Sequence, residues 1–207
     1  MKLDDQDDIK IWNKFRRGDD LALSVIYSRN AVSLYQYGLK FTTNRSIIED
    51  TIHDLFLDLI RNRETIGGTD NIQYYLYKSF RRKLLRLLKS ELRYTDNQLS
   101  EITFDVKYSV EYDFILAEIK DKEKDSLTAG IEKLSPRQKE AIYLRFKREL
   151  DYNEISEILG MGVEASRNLI YRALKSLKET ISKTGDYPVL CFILKKNPSS
   201  LKKMQIQ

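Results

Sequence analysis

Leu134-Ser-Pro-Arg-Gln-Lys-Glu140, followed by Asp151-Tyr-Asn-Glu154 and Gly160-Met161-Gly162, is the stretch whose reading decides the fold. Ser135 is placed to cap a leading helix. Pro136 suits the first helical position, where no amide partner is needed, and Gln138 completes a capping box. Asp151 and Glu154 repeat the device, and Ile155, Ile158 and Leu159 form the apolar stripe of a short helix. The two glycines supply a tight turn, because glycine takes left-handed backbone angles at little cost. From Val163 a helix runs through Leu169, Ile170, Leu174 and Leu177, with Arg167, Asn168, Arg172, Lys175 and Lys178 on its other faces. A helix lying in a major groove needs an apolar underside and amide and guanidinium groups turned toward bases and phosphates. An ordinary helical hairpin with a solvated basic face shares the turn and the stripe. Two capping boxes and a basic last helix favour a DNA-binding helix-turn-helix.

Composition agrees with that reading. The chain has 207 residues and a net charge of +5, which suits a polyanionic partner, although charges of both signs are abundant. A single cysteine, Cys191, rules out an intramolecular disulfide framework and fits a reducing compartment. Met1-Lys-Leu-Asp-Asp-Gln-Asp-Asp8 is acidic without an apolar core, the opposite of a signal peptide. No apolar run approaches the ~20 residues that span a bilayer. A cytoplasmic protein is expected.

All three prolines lie in the carboxy-terminal half, so the first hundred residues can be helical almost throughout. Ile9, Trp12 and Phe15 make a short helix ending near Gly18, and Asp19 or Asp20 caps a second that continues through Leu34, Leu39 and Phe41. Ile48, Ile52, Leu55, Phe56 and Leu59 form a third helical stripe, residues 61–70 a loop, and Ile72 through Arg93 a long basic helix. Residues 94–125 are polar and mostly acidic, reading as a linker that ends in a helix beginning near Glu111. The expected architecture is all-α: two small helical domains, 1–93 and 126–183, joined by the acidic linker 94–125 and followed by a tail, 184–207. The second domain is a four-helix, winged-helix-like helix-turn-helix.

Two faces of the first domain stand out. Asp50, Asp54 and Asp58 lie one helical turn apart along a ridge, with Glu49 and His53 beside them. Such a ridge is usually a solvated face; it can also dock on a basic protein surface. A metal site is disfavoured, because His53 is the only histidine and carboxylates at one-turn spacing repel each other. The helix from Ile72 interleaves Tyr74, Tyr75, Tyr77 and Phe80 with Lys78, Arg81, Arg82, Lys83 and Arg86. Rings among cations suit single-stranded DNA, where each stacking contact contributes ~1–3 kcal/mol and the cations follow phosphates. Leu76, Phe80, Leu84 and Leu87 are read as core, and three neighbouring tyrosines cannot all point inward.

The chain resembles RNA polymerase sigma factors of the sigma-70 superfamily, in the extracytoplasmic-function subgroup. The likeness runs from about Ile9 to Thr180 and rests on Trp12-Asn-Lys-Phe-Arg-Arg-Gly-Asp19 with Ile26-Tyr27, on Glu49-Asp-Thr-Ile-His-Asp-Leu-Phe56, on Asn71-Ile-Gln-Tyr-Tyr-Leu76 with Arg81-Arg82, and on residues 134–177. The resemblance implies a non-enzymatic initiation factor without cofactor or metal. Its implied partners are core RNA polymerase (the clamp coiled coil of the largest subunit, and the flap), promoter DNA and an anti-sigma factor. Glu49, Asp50, His53, Asp54, Phe56 and Asp58 would meet the coiled coil. Residues 66–86, with Tyr74, Tyr75, Tyr77, Lys78, Arg81 and Arg82, would melt and hold the minus-ten strand. Glu164, Arg167, Asn168, Tyr171, Arg172 and Lys175 would read the minus-thirty-five duplex, with Arg137 and Gln138 on phosphates. A conventional helix-turn-helix activator or repressor is the competing reading, although such regulators usually carry a strand-containing sensor domain in front.

Three positions depart from the family pattern. Ser166 stands where an aliphatic residue is usual, so a buried hydroxyl there needs a partner, expected to be the carbonyl one turn back. Arg82 stands where many members have asparagine. The tail, with Val189-Leu-Cys-Phe-Ile-Leu194 between polar segments, has no recognised counterpart.

Overall fold

The structure, a computed structural model, describes residues 5–94, 102–105 and 128–182. Helices are the only regular elements among them, and the chain divides into two compact units, Met1–Thr103 and Phe104–Gln207. The helix expected near Glu111, most of the acidic linker, the tail and Cys191 lie outside the described residues.

The first unit contains α1 (Asp5–Arg16), α2 (Asp20–Gly38), α3 (Arg45–Asn62) and α4 (Ile72–Tyr94). Each start is written in local chemistry. Asp19 caps α2 by accepting from the amides of Leu21 and Ala22, and Asn44 caps α3 by accepting from Ile47. The start of α4 is held twice: the Tyr74 amide donates to Asn71 Oδ1 at 3.0 Å, and the Ile72 amide donates to the Asp8 carboxylate of α1 at 2.9 Å. The core gathers Trp12 and Phe15 from α1, Ile26, Leu34 and Tyr37 from α2, the Ile48-Ile52-Leu55-Leu59 stripe of α3, and Leu76, Tyr77, Phe80 and Leu84 from α4. Gly38 allows α2 to lie close to α3 and α4: a Cβ there would stand 2.7 Å from Ile48 Cγ2 and 3.1 Å from Phe80 Cζ. On the rim, Lys83 of α4 pairs with Asp58 of α3.

The second unit contains α5 (Pro136–Ile142), continued by a π turn over Tyr143–Lys147, then α6 (Tyr152–Leu159) and α7 (Val163–Ser182). A helical turn at 128–132 precedes them and buries Ile131. Both capping boxes form as read: Ser135 with Gln138, and Asp151 with Glu154. Gly160 ends α6 at φ +65°, the left-handed angle the turn requires. Glu149 also takes a positive φ, +56°, without being glycine, a cost of order 1 kcal/mol that the burial of Leu150 beside it offsets. Phe104 is buried against Tyr143, ring centres 5.8 Å apart, and Asp105 lies 3.7 Å from Lys139. These two residues, expected in a free tether, pack with the second unit because an aromatic ring in a polar stretch gains most by leaving water.

Two expectations follow for the first unit. Gly38→Ala should destabilise it, because overpacking costs about 1–3 kcal/mol and outweighs a helix-propensity gain of at most ~1 kcal/mol. Gly68→Ala, where a Cβ meets nothing within 4 Å, should be neutral; thermal unfolding of both variants distinguishes the outcomes. The second concerns pH. The hydrogen bond from Lys83 holds the Asp58 carboxyl below its usual value; slight burial opposes this, and the charges of Lys83, Arg61 and Arg82 reinforce it. A depressed carboxyl stabilises the fold above its unfolded pKa and loses that contribution as pH falls through the folded value. Asp58→Asn should therefore cost under ~1 kcal/mol at neutral pH, the ordinary size for an exposed pair. Urea midpoints of variant and wild type should converge as acidification carries Asp58 through its lowered folded value.

Candidate nucleic-acid interface

On α7, the buried residues Ser166, Ile170, Ala173, Leu174 and Leu177 turn inward at spacings of three and four. Packing of that stripe against α5 and α6 leaves Glu164, Arg167, Asn168, Tyr171, Arg172 and Lys175 exposed together on the outward surface. The Arg167 guanidinium donates to Glu164 Oε1 at 2.8 Å, and Arg172 Nε donates to the Asn168 carbonyl at 3.3 Å. Arg137 of α5 is exposed, whereas the Gln138 side chain is committed to the Ser135 amide at 2.9 Å. The hydroxyl of Ser166, fully buried, donates to the Tyr152 carbonyl at 3.2 Å. That partner belongs to the start of α6 and not to the preceding turn of α7, so the buried hydroxyl joins two helices instead of bending one.

Tyr152 and Arg145 were not singled out in the sequence. The Arg145 guanidinium lies 4.9 Å from the centre of the Tyr152 ring and that of Arg167 lies 5.6 Å from it. Arg145 also donates to the Leu150 carbonyl at 2.8 Å. No local pattern announces this cluster, because its members come from three elements.

On α3, Glu49, Asp50, His53 and Asp54 are exposed as a continuous ridge. Asp58 departs from it through its pairing with Lys83. Phe56, expected on the same surface, is 94% buried, since its relative exposure is only 6%. Its ring meets Tyr27 of α2 edge-on at 4.9 Å and floors a groove of about 350 Å³ between α2 and α3, lined also by Val32, Tyr35, Ile52 and His53. Tyr27 and Val32 are exposed on its rim. Acidic ridge and apolar groove are therefore adjacent, a combination the ridge pattern alone does not reveal.

On α4 the tyrosines separate into three environments. Tyr77 is fully buried, its ring 4.8 Å from that of Tyr37 and its hydroxyl donating to the Ser33 carbonyl at 3.1 Å. It is removed from the candidate strand-binding set, because a ring sealed in the core cannot stack on a base. Tyr75 is half-buried, 5.0 Å from Trp12, whose indole N–H donates to the Gly67 carbonyl at 2.9 Å and fixes the loop before α4. Tyr74 is half-buried, with Lys78 Nζ donating to its hydroxyl at 3.0 Å and lying 5.4 Å from the ring centre. Lys78 and Arg82 are exposed, and Arg81 is half-buried. Leu87, read as core, is exposed, and Leu88 takes the buried position. Among the described residues, no three His, Cys, Asp or Glu side chains are grouped to hold a metal ion. No described helix is long and apolar enough to cross a membrane.

Residues 124–177, which include α5, α6 and most of α7, match the family described as Sigma-70, region 4. The chain is 21% identical to RNA polymerase sigma factor YlaC of Bacillus subtilis (strain 168), over 78% of its own length and 92% of that protein. It is 24% identical to RNA polymerase sigma factor SigV of the same organism, over 72% and 84% of the two lengths. In fold it is similar to CnrH, solved in complex with the cytosolic domain of CnrY, with a TM-score of 0.54, 16% identity and coverage of 85% and 97% of the two chains. It is likewise similar to the sigma factor RpoE from Bartonella quintana, solved with the anti-sigma factor NepR, with a TM-score of 0.51, 16% identity and coverage of 79% and 96%. The region 4 match falls on the helix-turn-helix, and an alignment of 163 residues with YlaC is too long to lie within one unit. In sequence the chain is thus similar to RNA polymerase sigma factors over most of its length, and its helix-turn-helix unit matches their region 4.

Proposed function

We propose that this chain is a sigma factor that binds core RNA polymerase and directs initiation at promoters it selects through two DNA contacts, one single-stranded and one duplex. The observation on which the reading chiefly rests is the coincidence of the region 4 match with a capped helix-turn-helix whose outward face is Arg167, Asn168, Tyr171, Arg172 and Lys175. In this assignment residues 1–93 hold the polymerase and the minus-ten element, and 126–183 read the minus-thirty-five element. Arg167 and Asn168 reach base edges, while Arg172, Lys175 and Arg137 neutralise phosphates.

The polymerase contact is assigned to the ridge Glu49, Asp50, His53 and Asp54 together with the groove floored by Phe56. An apolar groove beside carboxylates suits a basic amphipathic coiled coil: burial supplies affinity, and the charges supply steering and register. The melted strand is assigned to Tyr74, with Tyr75, Lys78, Arg81 and Arg82. Tyr74 is favoured because its ring is partly open and already engaged by a cation, the pairing that stacking on an unpaired base exploits. CnrH and RpoE were solved with CnrY and the anti-sigma factor NepR, respectively. By analogy, an anti-sigma factor is assigned as a further partner class.

The direct test is run-off transcription with purified core polymerase on genomic fragments, beside gel shifts of the factor alone. Transcription from discrete start sites only when both proteins are present is expected. Tight promoter binding without polymerase, and no added initiation with it, would mean a conventional helix-turn-helix regulator. Asp50→Lys with Asp54→Lys should abolish association with core polymerase while circular dichroism stays that of wild type. Reversing paired interface charges leaves the partner's cations desolvated and unmatched. Full wild-type affinity in the double variant would remove the ridge from the interface.

Promoter opening gives an independent prediction. Tyr74→Ala should lose one stacking contact, about 1–3 kcal/mol, and slow opening without displacing polymerase from the closed promoter. A pre-melted template should restore much of the transcription, because unpairing no longer draws on that contact. Permanganate reactivity of the minus-ten region, on closed and pre-melted templates, measures both effects. Wild-type opening by the Tyr74→Ala, Tyr75→Ala and combined variants would reduce α4 to core with a solvated basic face.

A further inference from the structure

Arg167 is the residue on which base reading is proposed to depend, yet its side chain is long, exposed and rich in rotamers. An unrestrained arginine loses rotamer entropy on being fixed at a base edge. Here it is restrained in advance by a cluster that no local motif announces. The Arg145 guanidinium is fixed by the Leu150 carbonyl at 2.8 Å and lies 4.9 Å from the Tyr152 ring centre. On that ring also sits the guanidinium of Arg167, at 5.6 Å, with Glu164 holding Arg167 from within α7 at 2.8 Å. Tyr152 is tied to α7 a second time, since its own carbonyl accepts the buried Ser166 hydroxyl at 3.2 Å. Its backbone therefore fixes where α7 lies, and its ring fixes where Arg167 points.

We infer that Tyr152 is a specificity-positioning residue: its ring holds the Arg167 guanidinium at the angle from which it reads one base pair. The inference rests on the duplex-reading role proposed above for α7. Two cations near one ring would repel if left alone. The Glu164 carboxylate on Arg167 and the Leu150 carbonyl on Arg145 offset that repulsion. Tyr152 need not touch DNA. Its contribution is to present a preorganised fork, so that the bidentate geometry of a guanidinium on a purine edge is reached with less ordering on binding.

The test uses the full chain bound to core polymerase and a pool of promoter fragments randomised across the upstream element, with the bound fraction sequenced. Arg167→Ala should lose its preference at one base position by about 5- to 150-fold, the range of a bidentate contact. Tyr152→Phe should keep that preference. Replacement of Tyr152 by pentafluorophenylalanine, of nearly the same shape but with the ring quadrupole reversed, should relax the same position by about two- to fivefold, the weight of a surface cation–π contact. Preferences elsewhere should not change. Because both variants lack the hydroxyl and fill similar space, a merely structural role for the ring would not separate them. If the fluorinated ring keeps the preference that Arg167→Ala loses, or weakens all positions alike, the positioning role is overturned and the proposed function stands. If Arg167→Ala changes no preference, Arg167 does not read a base, and both assignments fall.

Discussion

Burial of the Ile170-Ala173-Leu174-Leu177 stripe of α7 against α5 and α6 is the constraint on which the second unit depends. Those four side chains together remove enough apolar surface to contribute several kcal/mol, far more than any exposed contact on the opposite face. The helix cannot rotate about its axis without exposing them. The direction in which Arg167, Asn168 and Arg172 point is therefore set by residues that never approach a ligand. The same logic governs the first unit, where the Ile48-Ile52-Leu55-Leu59 stripe directs the acidic ridge outward and Leu76-Phe80-Leu84 directs Lys78 and Arg82 outward. Each candidate surface is the complement of a core stripe.

That relationship explains which features could be read from the residues alone. Capping boxes are exchanges between residues three apart, so Ser135 with Gln138 and Asp151 with Glu154 needed no tertiary information. The outward sets on α3 and α7 followed from helical periodicity. Phase at the edges of a stripe did not. Tyr77 lies three positions before Phe80 and one after Leu76, so periodicity alone permits it at the margin of the buried face. Tyr37 and the Ser33 carbonyl of α2 bring it fully inside. Leu87 and Leu88 are three and four residues beyond Leu84, both admissible, and only packing selects Leu88. Phe56 was legible as apolar and as part of the ridge segment, but the groove it floors exists only once Tyr27 arrives from α2.

The second class of illegible feature is backbone geometry without a residue signal. The chain turns between α5 and α6 through a π turn and a left-handed Glu149, where neither glycine nor asparagine marks the position. That turn brings Leu150 into the core and places its carbonyl against Arg145. Ser166 is a related case. A buried hydroxyl in an aliphatic position looks like a defect costing roughly 1–3 kcal/mol, until the Tyr152 carbonyl, fourteen residues earlier in the chain, accepts from it. The departure from the family pattern becomes a tether between the two helices of the motif.

Pairing within the free protein also divides cations that look equivalent along the chain. Lys83 joins α4 to α3 through Asp58, so transferring it to a phosphate would cost the rim of the first unit one of its ties. Lys78 leans on the Tyr74 ring, and Arg167 on Glu164 and the Tyr152 ring, contacts within a single helix or between neighbouring helices of one unit. Exposed pairs of this kind contribute about 0–1 kcal/mol each, less than a charge-assisted bond to phosphate or a bidentate bond to a base edge. They are weak enough to be exchanged and strong enough to limit the rotamers from which exchange begins. Lys83, whose ion pair ties α4 to α3, is thus distinguished from Lys78 and Arg167, which lie against neighbouring rings and a carboxylate. Those two cations lie on the two faces assigned to nucleic acid, where ordering a side chain before binding lowers the entropy lost when DNA arrives.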